Sequence, residues 1–154
     1  MYQKIMVPLD GSNLAECVFP HVGALATGCR VSSILLVRVV EPFHQPSTTE
    51  FVLSPEEIQR VEQEMRASAE NYLSQVMQRV KFNQANVKSE ILNGRAAEVL
   101  ADYAAQNGVD LIVIATHGRS GISRWIWGSV ADRILRSSCV PVLMVRAPGC
   151  VPGI

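Results

Sequence analysis

The stretch Leu111-Ile112-Val113-Ile114-Ala115-Thr116-His117-Gly118 decides the fold of this chain. Its run of five apolar residues, introduced by Asp110 and ended by a flexible turn, is typical of a strand buried on both faces of a parallel sheet. Further along, Gly128-Ser129 opens a helical pattern. The first N–H groups of a helix have no partner within it and the helix dipole favours anions, so a strand, a glycine-bearing loop and a helix N-terminus together can hold phosphate. The stretch therefore predicts a buried sheet with an anion site at its edge.

Strand patterns and helical patterns alternate along the whole chain. The strand patterns cover residues 4–9, 31–40, 87–92, 111–115 and 141–146, and helical patterns start near residues 13, 54, 96 and 129. Strict alternation at these lengths predicts a single-domain, doubly wound α/β fold in which a five-stranded parallel sheet, in strand order 3-2-1-4-5, is covered by four helices. We expect this domain to span residues 1–147, with a loose tail over residues 148–154.

The first helical pattern is expected to start at a capping box. Asn13 and Glu16 have the spacing of that motif, and Pro20 inside the pattern should kink the helix. The residues expected on its buried face are Leu14, Val18, Val22 and Leu25.

The second helical pattern is the longest in the chain. It begins at Ser54-Pro55-Glu56-Glu57, which combines a cap residue, a proline at the first helical position and a glutamate at the third. Its apolar stripe is interpreted as core: Ile58, Val61, Met65, Ala69, Tyr72, Val76 and Val80. The preceding segment, residues 41–53, is expected to be a mobile loop that closes partly over a bound ligand.

Composition narrows the class of partner. The chain has 14 basic and 14 acidic residues, so no net field draws it to nucleic acid. Apolar runs such as Ile34-Leu35-Leu36-Val37 are too short to span a bilayer, and the N-terminus leads into a strand pattern without a signal peptide. The 4 cysteines show no metal-like pairing and are interpreted as reduced thiols. These features favour a cytoplasmic protein with no nucleic-acid or membrane partner.

Several blocks of the sequence resemble the universal stress protein family. They are Ile-Met-Val-Pro-Leu-Asp-Gly-Ser at residues 5–12, Leu-Leu-Val-Arg-Val-Val-Glu at 35–41 and Pro-Val-Leu-Met-Val-Arg at 141–146. The ATP-binding branch of that family has a glycine, two residues, a second glycine, nine residues and then Gly-Ser or Gly-Thr. Gly118 and Gly128-Ser129 match the second part of that pattern, and Ala115 replaces its first glycine.

The resemblance implies a set of nucleotide contacts and a dimer. Asp10 would contact the nucleotide on its ribose side, and Pro8 would lie beneath the adenine base. The backbone of Val39 would form hydrogen bonds with the adenine. The residues implied around the ribose and phosphates are Ala115, Gly118, Gly128, Ser129 and Val130. Arg119 and a magnesium ion are candidates to offset the charge of ATP, although a loop arginine can equally be solvated. The strand Pro141 to Arg146 would lie at a sheet edge, where unpaired backbone groups favour a homodimer.

Three features of the sequence allow more than one interpretation. Ala115 would be strained if its position required a positive φ, or it would be a mild obstacle if only a small side chain is needed; the second is favoured because Ala115 continues the strand rather than turning. Asp10 could simply stabilise the Gly11-Ser12 turn. The loop lacks the lysine of a P-loop, and no catalytic set stands out, so slow ATP hydrolysis is left open and efficient turnover is not expected. The ranked functions are therefore an ATP-dependent sensor or interaction module, a nucleotide-free stress protein acting by dimerisation, and a slow ATPase.

Overall fold

The structure is a computed structural model that describes residues 1–43, 53–82, 85–116 and 129–146. The elements follow the predicted alternation, with one additional 3-10 helix before the first α-helix. In chain order they are β1 (Lys4–Pro8), a 3-10 helix (Ala15–Val18), α1 (Phe19–Gly28), β2 (Ser33–Val40), α2 (Pro55–Arg79), β3 (Asn86–Asn93), α3 (Ala96–Gln106), β4 (Leu111–Thr116), α4 (Ser129–Ser137) and β5 (Val142–Arg146).

The five strands form one parallel sheet in the order β3-β2-β1-β4-β5, as predicted. β1 lies at the centre, with Ile5 opposite both Ile34 of β2 and Leu111 of β4. β5 is an edge strand, and its described residues begin at Val142, one residue later than the sequence pattern. The other edge is β3.

Successive residues of the central strands face two separate cores. Ile5 and Val7 pack with α1 and α2 on one face, whereas Met6 packs with α3 and α4 on the other. Leu36 and Leu35 of β2 divide in the same way. The central strands read as continuous apolar runs because both of their faces are covered by helices. Within the described part of the chain, no helix is long and apolar enough to cross a membrane.

The start of the first helix differs from the prediction. The predicted capping box of Asn13 and Glu16 does not form. The first N–H of the 3-10 helix, on Ala15, donates to the Ser12 hydroxyl at 3.2 Å, and the Glu16 carboxylate binds Tyr72 and Arg79 of α2. α1 begins only at Phe19, so Pro20 lies in its first turn, where a missing N–H costs no helix hydrogen bond. The predicted kink was therefore wrong. Leu14 was also misplaced, since its side chain is 39% exposed.

The N-terminus of α2 follows the prediction, whereas its buried stripe is shorter. The Ser54 hydroxyl accepts a hydrogen bond from the Glu57 N–H at 3.2 Å, and the Glu57 carboxylate accepts one from the Ser54 N–H at 2.7 Å. The fully buried positions are Ala69, Leu73 and Val76, and Met65 is 38% exposed. The first half of the helix therefore does not belong to the core, and the prediction that the whole apolar stripe is core was wrong for this half.

Asp110 joins the amino ends of β1 and β4. Its Oδ2 accepts hydrogen bonds from the backbone N–H groups of Gln3 at 2.7 Å and Lys4 at 2.8 Å. These bonds lower the pKa of the carboxyl group below its usual value because they favour the ionised form, and the bond from Lys4 has the largest effect. The carboxylate lies at the opposite edge of the sheet from the pocket described next.

Candidate functional site

The carboxyl ends of β1, β2 and β4 open onto a pocket of about 380 Å³. This is the edge of a doubly wound sheet at which ligands bind, since the chain leaves β1 and β4 in opposite directions there. The described lining is mostly apolar and comes from the strand ends, the segment after β1 and the first turns of α3 and α4. It consists of Pro8, Leu9, Asp10, Leu14, Ala15, Val37, Val39, Ala96, Leu100, Ile114, Ala115, Thr116, Val130 and Ala131.

Five of the nine residues expected at the site line this pocket: Pro8, Asp10, Val39, Ala115 and Val130. They come from four separate segments of the chain, so the fold brings together residues that the sequence holds far apart. The backbone of Ser129 begins α4, as predicted. Gly118, Arg119, Gly128 and the Ser129 side chain lie outside the described residues, as does most of the segment 41–53.

Most of the apolar wall was not anticipated from the sequence. Val37 lies two residues before Val39 and faces the same core, so strand periodicity could have found it. Ala96 and Leu100 are four residues apart on α3, and their side chains reach the pocket only because α3 packs on that face of the sheet. Leu14 was missed because the segment that carries it was assigned to an α-helix.

Asp10 stabilises a turn and also borders the pocket. Its Oδ1 accepts hydrogen bonds from the Ser12 N–H at 2.8 Å and from the Ser12 hydroxyl at 2.6 Å. Between them Gly11 has a φ of +90°, a conformation that side-chain-bearing residues rarely adopt. The two interpretations of Asp10 are therefore compatible, because the turn holds the carboxylate at the mouth of the pocket.

Ala115 adopts the ordinary backbone of a strand. It lies within β4 opposite Val145 of β5, and it is not among the residues with a positive φ. Ala115 therefore borders the pocket without backbone strain. Of the two alternatives for this position, the structure supports the small obstacle rather than the strained residue.

Two helices begin at the pocket, and the described acidic residues near their N-termini have different partners. The first N–H of α3, on Ala96, donates to the Glu41 carboxylate at 3.0 Å, so a negative charge of the protein already occupies this end. At α4 the acidic residue of the first turn, Asp132, forms an ion pair with Arg136 at 2.9 Å. An anion in the pocket would be repelled by Glu41 at α3, and the start of α4 is the better place for it.

The described chemistry of the pocket is suited to binding. Apolar walls favour a flat, weakly polar group, and the Asp10 carboxylate can accept hydrogen bonds from hydroxyl groups. Among the residues that the structure describes, no group of three His, Cys, Asp or Glu side chains is placed to hold a metal ion.

A family model, described as the universal stress protein family, matches residues 1–146. The chain belongs to the universal stress protein family. The relatives include universal stress protein MJ0577 of Methanocaldococcus jannaschii, which is 27% identical over 156 residues, covering 95% of this chain and 96% of the relative. A solved structure of MJ0577 superimposes with a TM-score of 0.80 at 26% identity and covers 97% of this chain and 99% of that one.

Solved universal stress proteins with bound nucleotide share the fold. A family member from Arabidopsis thaliana with AMP bound has a TM-score of 0.65 at 17% identity, covering 96% of this chain and 93% of its own. A universal stress protein in complex with cAMP has a TM-score of 0.59 at 20% identity, covering 94% and 97%. At these identities the likeness to both structures establishes the common architecture of the sheet and helices.

Proposed function

We propose that this universal stress protein binds ATP in the pocket at the carboxyl ends of β1, β2 and β4, and acts in the cytoplasm as a nucleotide-dependent sensor or interaction module. The observation that carries the proposal is the pocket itself. It has an apolar wall, a carboxylate on one side and the start of a helix on the other. These are the three kinds of surface that a base, a ribose and a phosphate chain require.

Each part of ATP has a matching group in this arrangement. The adenine would lie between Pro8 and the apolar side chains of β2 and α3, with the backbone of Val39 offering hydrogen bonds to its edge. The ribose hydroxyls would donate to Asp10. The phosphates would extend over Ala115 towards Val130, where N–H groups at the start of α4 would donate to them. Solved family members with bound AMP and cAMP, both of which contain adenine and ribose, support this choice of ligand.

The N-termini of α3 and α4 determine the direction in which the nucleotide would lie in the pocket. Since Glu41 already occupies the N-terminus of α3, phosphates placed there would face a carboxylate. The loop between β4 and α4 carries no lysine, so backbone N–H groups, Arg119 and a magnesium ion would have to offset the charge of the triphosphate. An exposed helix end contributes only about 0.3–1 kcal/mol. We therefore expect moderate, magnesium-dependent affinity.

We also propose that the protein is a homodimer paired through β5. β5 is an edge strand of the described sheet, and Leu143 on it is 37% exposed, so one side of β5 without a neighbouring described strand is combined with an apolar surface. Val145 is 7% exposed and belongs to the core, so Leu143 is the more accessible of these two side chains to a partner.

Calorimetric titration with Mg-ATP tests the nucleotide site. We expect the wild-type protein to bind, and Gly118→Val and Gly128→Val to lose binding, because a branched side chain would stand where phosphate approaches the backbone. Gly28→Val is the matched control. Gly28 ends α1, has open space around its α-carbon and has an ordinary φ, so this variant should fold and bind as the wild type does.

A second candidate function is that of a stress protein that binds no nucleotide and acts through its dimer. The presence of Ala115 in place of a glycine on the pocket wall favours it. The absence of heat with Mg-ATP for the wild-type protein, or full binding by both valine variants of the loop, would replace the first proposal with this one.

A further inference from the structure

Arg38 is a charged residue within the otherwise apolar strand β2. It is half-buried, and its neighbours Leu36, Val37 and Val40 are buried. The guanidinium carbon of Arg38 lies 5.3 Å from the centre of the Tyr72 ring of α2, which is a cation–π distance. The strand therefore keeps a cation on the face that packs against α2, close to the carboxyl edge of the sheet.

The other side of the guanidinium packs against the turn that follows β1. A Cβ built on Gly11 would overlap Nη1 of Arg38 and would lie 2.9 Å from its Cζ. Arg38 thus fills the space that any side chain at residue 11 would need. Since Gly11 lies between Asp10 and Ser12, the arginine supports the turn from beneath, on the side away from the pocket.

The segment after the turn is fixed to the same helix. The Tyr72 hydroxyl donates to Oε1 of Glu16 at 3.1 Å, and Arg79 donates to both carboxylate oxygens of Glu16 at 3.0 and 3.2 Å. Residues 10–16 are therefore held at two points, by Arg38 at Gly11 and by α2 at Glu16.

The charges of Asp10 and Arg38 both act on the Tyr72 phenol. Burial raises the pKa of Tyr72 most, followed by the charge and hydrogen bond of Glu16. The charge of Asp10 raises this pKa further and that of Arg38 lowers it, so both charges lie close enough to Tyr72 to affect its ionisation. The carboxylate at the pocket and the cation behind it belong to one electrostatic cluster.

We propose that Arg38 is a positioning residue for the nucleotide site, which holds the Asp10 carboxylate where the ribose hydroxyls donate to it. The inference rests on the proposed function, since it assigns Arg38 to the same pocket. Arg38 does not line the pocket and so does not touch the ligand. It acts by filling the space behind Gly11 and by keeping a positive charge beside the turn.

A purely structural role would make Arg38 an anchor for α2 and nothing more. Arg79 provides the matched control, because Arg79→Met removes a cation that binds α2 to Glu16 without touching Gly11. Arg38→Met removes the support of the turn. Arg38→Lys keeps the charge and loses the flat guanidinium that packs between Gly11 and Tyr72.

The test compares the affinities of each variant for ATP and for 2′,3′-dideoxy-ATP by calorimetry. The wild type should prefer ATP by about tenfold, the effect of hydrogen bonds to a charged group. Arg38→Met should remove most of this preference, Arg38→Lys should restore part of it, and Arg79→Met should leave it unchanged. Equal weakening of both ligands by Arg38→Met would overturn the proposal.

A measurement on the ligand-free protein separates this inference from the proposed function. The Ser12 amide donates to Asp10, so its exchange with water, followed by magnetisation transfer in NMR, reports how well the turn is held. Arg38→Met should speed this exchange several-fold, and Arg79→Met should not. If the wild type binds neither nucleotide, the proposed function and the ribose role of Arg38 both fall. Unchanged Ser12 exchange in Arg38→Met would refute the positioning role by itself.

Discussion

Replacement of Asp110 by alanine should weaken the fold at the edge of the sheet farthest from the pocket. One carboxylate oxygen accepts two short hydrogen bonds from backbone N–H groups, those of Lys4, which begins β1, and of Gln3, which precedes it. A hydrogen bond to a charged group contributes about 1.5–3 kcal/mol, but water can replace the carboxylate at the exposed Gln3 N–H. We therefore expect Asp110→Ala to lower the free energy of unfolding by about 2 kcal/mol, or the melting temperature by about 4–8 °C for a domain of this size.

The effect should depend on pH with a definite sign. The pKa of Asp110 is lowered in the folded state, so the folded state favours the ionised carboxylate. The stabilisation is complete above the unfolded pKa of about 3.9 and is lost as the pH falls through the lower folded pKa. Urea unfolding at pH 7 and at about pH 3 should show a smaller difference between wild type and variant at the lower pH.

The control for this experiment is Asp102→Ala, which removes an exposed carboxylate of α3. It should change stability by no more than about 0.5 kcal/mol. Mg-ATP affinity should be the same in wild type and Asp110→Ala, because the carboxylate lies at the amino ends of the strands. A loss of stability that is as large at pH 3 as at pH 7 would refute the assignment to an ionised carboxylate.

Three further changes test the framework around the site. Glu41→Ala should lower the free energy of unfolding by about 1 kcal/mol in urea because it uncaps α3, whereas Glu41→Gln, which keeps an oxygen acceptor, should lose less. Tyr72→Phe should make stability less sensitive to pH above about 10, since a raised phenol pKa gives stability that is present at lower pH and lost as the pH rises; unchanged sensitivity would contradict this. Leu143→Lys should shift the sedimentation of the protein to that of a monomer, with Met65→Lys, an equally exposed apolar position on α2, as control. A wild-type protein that sediments as a monomer at micromolar concentration would refute the proposed homodimer.

The architecture was predictable because its signals are local. Each central strand is a run of apolar residues, and a capping box such as that of Ser54 and Glu57 involves only four consecutive residues. The assignment failed where a distant residue competes for a local partner. Glu16 has the spacing of a capping box but binds Tyr72 and Arg79, which follow 56 and 63 residues later, and no local pattern contains that information.

The candidate site was likewise predictable only where its residues follow from the order of the strands. Asp10 and Val39 could be placed at the pocket because they end strands that must meet at one edge of the sheet. The contact between Glu41 and the N–H of Ala96 joins residues 55 apart and depends on the exact packing of α3 against β2. Arg38 was hidden for the same reason, since only the folded chain brings its guanidinium against Gly11.

The most direct test of the central claim is the effect of Mg-ATP on the backbone amide signals of the protein in solution. Binding at the carboxyl edge should shift the signals of Val39, Ala115 and Val130 together, with a single affinity, and should leave those of Gln3 and Asp110 at the opposite edge unchanged. Shifts at Gln3 and Asp110 with none at the pocket, or no shift at any of the five amides, would contradict the account.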